Sequence, residues 1–131
     1  MSAGRYNFTI EQGATVDFEI QWNDSNGEAV DLSYYSAEMQ IRSGHGSSAT
    51  LYATLSSSLD SDRTGLNLLG PNSDKPLTSG SIGLFISAAS SSAFDFSEAL
   101  YDLEMISGSG NNAYVTRLLE GKIKLRKNVT I

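Results

Sequence analysis

Apolar and polar residues alternate with period two along most of the chain. Tyr6, Phe8 and Ile10 are separated by Asn7 and Thr9. Val16, Phe18, Ile20 and Trp22 alternate with Asp17, Glu19 and Gln21, and Ala37, Met39 and Ile41 alternate with Glu38, Gln40 and Arg42. The runs Leu51-Ala53-Leu55, Ile82-Leu84-Ile86 and Tyr101-Leu103-Met105 repeat the pattern. Successive side chains of a strand point to opposite faces, so each run predicts a strand with one dry face and one wet face. The last run, AYVTRLLEGKIKLRKNVTI, is long enough for a strand of about ten residues. Within it Leu118 breaks the parity shared by Val115, Arg117 and Leu119. A bulge near TRLLEG, with Gly121 a candidate to help form it, resolves the conflict; partial cover on both faces is the alternative.

Clusters of Gly, Ser, Asn, Asp and Pro separate the runs at spacings suited to a sandwich or small barrel. Asn26-Gly27 supplies a turn that tolerates positive φ. SAASSSAFDF, residues 87–96, is the one helical candidate, and it is too short and serine-rich for more than a turn linking two strands. TGLNLLG is a further candidate strand, and SGSGNN, residues 107–112, reads as a hairpin loop. The expectation is one domain over residues 1–131: an all-β, immunoglobulin-like antiparallel β-sandwich of seven to eight strands with one short helical connection.

Composition narrows this further. With 131 residues, 40% hydrophobic and 18% charged, the chain is expected to bury a real core. It has no cysteine, which rules out disulfides, thiolate metal sites and Cys nucleophiles. The opening MSAGRYNFTIEQG lacks the basic-then-apolar pattern of a signal peptide, and no apolar run approaches the length of a membrane span. The net charge of −6 is uneven. Four basic and fourteen acidic residues precede Arg117, a balance of −10; five basic and one acidic residue follow from Arg117 onward, a balance of +4. An acidic body argues against nucleic acid as a partner. The basic tail alternates Lys122, Lys124 and Arg126 with Ile123 and Leu125, which suits either a charged guard on a sheet edge or a docking strip for an acidic surface.

Candidate chemistry is sparse. Asp102 and Glu104 share one strand face, roughly 7 Å apart at the backbone, a separation that overlaps paired carboxylates in glycoside hydrolysis. Tyr101, Leu103 and Met105 on the other face need burial, so the pair reads as the wet side of a half-buried strand. Asp17 and Glu19 read the same way, and Glu38 and Arg42 are expected to meet charges on a neighbouring strand. DSDRTG, Asp60 to Gly65, resembles the start of a calcium loop, but Thr64 replaces the third ligand and Pro71 falls where the closing Glu is needed, so an acidic turn is expected. His45, the single histidine, lies in SGHGSS and is expected on a loop tip. No phosphate-binding glycine loop or nucleophile elbow is present, so no cofactor and no metal are implied. Tyr34, Tyr35, Tyr52 and Tyr114 are candidate sugar platforms, with edge or interface packing as the alternative.

Residues 8–43, FTIEQGATVDFEIQWNDSNGEAVDLSYYSAEMQIRS, resemble the opening of small immunoglobulin-like sandwich domains of tailed bacteriophages and prophages. Residues 79–106, ending in EALYDLEMI, and 115–130, VTRLLEGKIKLRKNVT, are similar to the ending of those domains. The N-terminal domain of phage baseplate upper proteins is the nearest named relative, and residues 56–78 look like an insertion. SEALYDL also has loose tyrosine-corner spacing about Tyr101, with Leu103 where antibody-type domains carry Cys and Ser97 where they usually carry Asp. The resemblance implies a virion structural protein of the tail, baseplate or neck, assembled in the host bacterial cytoplasm from other phage structural proteins and copies of itself. The expected subunit interface is Arg117, Lys122, Lys124 and Arg126. Capsid decoration or binding of a host receptor or carbohydrate is the alternative, and a glycosidase using Asp102 and Glu104 is a third class.

Overall fold

The computed structural model describes residues 4–46, 48–108 and 110–127. It is a β-sandwich of two sheets around one apolar core. The strands are β1 (Gly4–Arg5), β2 (Phe8–Glu11), β3 (Val16–Gln21), β4 (Tyr35–Arg42), β5 (Leu51–Ser56), β6 (Gly65–Asn67), β7 (Ser81–Ile86), β8 (Glu98–Ser107) and β9 (Tyr114–Arg126). One sheet is ordered β1-β9-β8-β4-β5, with β2 also on β9; the other is β3-β7-β6. A three-stranded sheet facing a larger one, in which the last two strands lie between the first strand and β4, is an all-β sandwich arrangement. The alternating residues meet between the sheets: Met39, Ile41, Leu103 and Met105 from the large sheet are buried against Ile82, Leu84 and Ile86 from the small one.

The expected short helix is α1 (Ala88–Ser92), capped by the Ser87 side chain, which accepts from the Ser90 N–H. The Asn26-Gly27 turn forms with Gly27 at φ 82° and its N–H donating to the Asp24 carbonyl. Among the described residues the runs appear as nine strands, because the first is interrupted between Arg5 and Phe8 without any change of register on β9. Every pairing is antiparallel except at this edge, where β1 and β2 run parallel to β9. A parallel pair needs a crossover. Here it is the rest of the domain, because the chain leaves the large sheet after Glu11 and enters the small one at Val16.

The parity conflict in the last strand resolves as a bulge. Leu119 lies opposite Leu103 and Arg117 opposite Glu104, so Leu118 is the extra residue. Gly121 takes no part in it. It sits under the interruption of the first strand, where a Cβ would lie 2.1 Å from the Tyr6 carbonyl oxygen. That close approach brings the Tyr6 carbonyl to the hydroxyl of Tyr101, which donates to it at 2.6 Å. The Asn7 side chain accepts the Lys122 N–H at 2.9 Å, replacing a strand partner. The tyrosine-corner expectation is corrected accordingly: Tyr101 anchors the N-terminal strand, not its own corner near Ser97. Burial raises the Tyr101 hydroxyl well above its ordinary pKa, as suits a permanent donor.

The DSDRTG turn is structural. Asp62 accepts the hydroxyls of Ser87 and Ser90 and the N–H of Thr64, tying the turn to the start of α1. These donors, the Ser87 hydroxyl first, hold its carboxyl far below the usual range. A carboxylate depressed in the folded state adds stability above its unfolded pKa, about 3.9, and that stability is lost as pH falls below it. Asp62→Asn is therefore expected to lower the melting temperature at pH 6 and to flatten its fall between pH 4 and 2. Parallel melting curves for the two proteins across that range would refute the assignment.

Candidate functional site

The outer face of the large sheet is where the polar side chains of β4, β8 and β9 project. Cross-strand register arranges them in rows. Arg42, Leu100 and Lys122 form one row; Gln40, Asp102 and Glu120 the next; Glu38, Glu104 and Arg117 the third. The first-strand residues Arg5 and Asn7 extend the face beyond β9.

Asp102 and Glu104 are both on this face, half-buried and two residues apart, as the alternation requires. Their surroundings differ. Asp102 is 3.4 Å from Arg117, which also lies 4.0 Å from Glu120. Glu104 stands between Glu38 and Arg117 in its row. The pairing expected of Glu38 and Arg42 with neighbouring charges is not what forms. Glu38 faces Glu104, and Arg42 donates instead to neutral acceptors, Gln40 Oε1 at 2.9 Å and the Ala49 carbonyl at 3.1 Å. On the small sheet, Glu19 accepts the Ser81 hydroxyl and lies 3.2 Å from Lys75; these partners, Ser81 first, lower its pKa.

The four basic residues expected at an interface divide into two kinds. Arg117 is engaged with Asp102 and Glu120, and Arg126 pairs with Glu11 at 3.0 Å, bracing β9 against β2. Lys122 and Lys124 are exposed and make no ion pair among the described residues. The docking strip is thus narrower than its sequence suggests, because two of its charges are already compensated within the chain.

Two adjoining open depressions, of about 280 and 420 Å³, lie on this face. Both are lined by His45, Leu100, Tyr101, Asp102 and Arg117. The first adds Gln40 and Arg42, the second Arg5, Asn7, Glu120 and Lys122. They form one trough walled by the 43–46 loop. His45 is exposed, and it stands on that wall. Asp102 lines the trough and Glu104 does not.

Within the trough the carboxylates are answered from inside the chain: Asp102 by Arg117, and Glu120 by Arg5 at 3.7 Å. Arg42 and Lys122, one on each side of Leu100, line it without an ion pair among the described residues. Sequence reading put Lys122 in the basic strip but expected Arg42 to be paired with a neighbouring charge. The available signal was its isolation, since it is the only basic residue between Arg5 and Arg63.

The four tyrosines also divide. Tyr35 packs edge-on against Trp22, and Tyr52 stacks on Phe96. Tyr34 and Tyr114 are 84% and 70% exposed, with half-exposed Val115 beside Tyr114 on β9. Among the described residues no three His, Cys, Asp or Glu side chains converge as metal ligands. In comparison with known proteins, no family model matches the chain and no curated protein matches it.

Proposed function

We propose that this chain is a structural subunit of a tailed bacteriophage particle, in the tail, baseplate or neck, and that it acts by packing against other subunits. The observation that carries the reading is the outer face of the large sheet. It is broad and uncovered by any other described element. Asp102, Glu120 and Glu11 pair with arginines of the same chain, while Lys122 and Lys124 make no ion pair among the described residues. A surface of this kind suits assembly, in which complementary charge steers partners and sets register. The likeness of residues 8–43, 79–106 and 115–130 to phage sandwich domains supports the placement in a virion.

Particles purified from a host carrying this gene are expected to contain the chain in fixed ratio to the other virion proteins. The Lys122→Glu/Lys124→Glu variant is expected to be incorporated poorly, with the defect changing as salt is raised. Equal incorporation at every salt concentration would remove the basic strip from the reading, and absence of the wild-type chain from particles would remove the reading itself. The exposure of Tyr34 and Tyr114 favours a second reading, a carbohydrate- or receptor-binding sandwich. Reproducible glycan-array binding lost on Tyr34→Ala and Tyr114→Ala substitution would establish that reading instead.

A further inference from the structure

We infer that the trough is a carboxylate-binding site, and that its occupant is the acidic 24–31 loop of a second copy, docked head to tail. The inference rests on the assembly reading above and names the partner surface within it.

Arg42 is the centre of the site. Its guanidinium is partly buried and oriented by two neutral acceptors, so it is held in place without a counter-charge. A planar guanidinium fixed in this way presents its remaining donors to a carboxylate with little ordering left to do. Lys122 stands in the same cross-strand row on the far side of Leu100. Two strand spacings put these two positions roughly 10 Å apart. A segment carrying two acids can span that distance across the apolar Leu100 floor. The trough's own carboxylates do not compete, because Arg117 and Arg5 already hold them.

The chain carries a matching donor. Asp24, Glu28 and Asp31 lie in one exposed loop with no basic residue, and none forms an ion pair among the described residues. Local bonds set the loop's shape: Asp24 Oδ1 accepts the N–H groups of Asn26 and Glu28, and Asp31 Oδ1 accepts from Ser33. The other carboxylate oxygen of each aspartate stays available.

A chain cannot fill its own trough. The acidic loop leads into the start of β4 at Tyr35, and Arg42 ends that strand. The strand rise puts them about 23 Å apart. A second copy must therefore bring the loop. Donor and acceptor are different surfaces, so a docked pair keeps one loop and one trough unused, and the contact propagates into a ring or a filament. A long polyanion is disfavoured because the body around the trough is acidic, and the floor offers no exposed aromatic ring for a sugar.

The test uses sedimentation and light scattering of the full chain. Wild type is expected to self-associate at low salt and to dissociate as salt rises. Lys122→Glu, at an exposed site, is expected to weaken association at least tenfold. A trough variant, Arg42→Gln/Lys122→Glu, and a loop variant, Asp24→Asn/Glu28→Gln/Asp31→Asn, are each expected to be monomeric and folded by circular dichroism. Mixed in equal amounts they should form one-to-one dimers and nothing larger, since one supplies an intact loop and the other an intact trough. A wild-type chain that stays monomeric at low salt, or a mixture that fails to pair, would overturn the inference. Binding of a uronic-acid oligosaccharide in the trough by a monomeric wild-type chain would overturn the second copy as occupant. A monomer that is still found in particles sinks this inference alone, whereas a self-associating chain absent from particles sinks the assembly reading alone.

Discussion

Gly121→Ala is expected to destabilise the fold by about 3 kcal/mol, although it adds one methyl group to a strand. The methyl would sit 2.1 Å from the Tyr6 carbonyl oxygen and 2.8 Å from its carbon. These are backbone atoms, so no rotamer change relieves the clash, and the first strand must move. Moving it breaks the Tyr6 N–H bond to the Glu120 carbonyl, 2.9 Å long, and the Tyr101 hydroxyl bond to Tyr6. Tyr101 is buried, so its hydroxyl is left without a partner. Urea denaturation of a double-mutant cycle checks this. Tyr101→Phe alone is expected to cost about 1 kcal/mol, and Gly121→Ala is expected to cost less in the Tyr101→Phe background than in wild type. An unchanged midpoint for Gly121→Ala would mean that the first strand is not held as described.

Leu103→Ala is expected to cost about 3 kcal/mol, while Leu100→Ala, three residues earlier on the same strand, costs less than about 1 kcal/mol. Leu103 is fully buried between Met39 and Leu119 in its row, where removing three carbons leaves a cavity that rigid sheets do not close. Leu100 faces outward on the trough floor, and a smaller side chain there leaves space open to water. Equal losses for the two variants, measured by thermal or urea unfolding, would contradict the assignment of faces on β8.

The eight residues EALYDLEM, 98–105, show how much of this was legible. Tyr101, Leu103 and Met105 are buried, and Asp102 and Glu104 lie on the outer face, as the alternation demands. Serine-rich helix α1, the 26–27 turn and the acidic character of the DSDRTG turn were likewise readable, because each depends on interactions within a few residues. The site was only half legible. Lys122 and Lys124 make no ion pair among the described residues, whereas Arg117 and Arg126 are committed to Asp102, Glu120 and Glu11, partners that no local pattern names.

By itself the sequence determined the strands, their dry and wet faces, and hence the all-β class, since the direction of a strand side chain follows from backbone geometry whatever the strand pairs with. Tertiary structure alone decided that the first strand runs parallel to the last, that Leu118 forms the bulge, and that Gly121 admits the Tyr6 carbonyl to Tyr101. It alone gathered Arg5, Arg42, Arg117 and Lys122 around one trough. Those contacts join residues far apart in the chain, and their energies depend on sheet order and register, which side-chain periodicity does not encode.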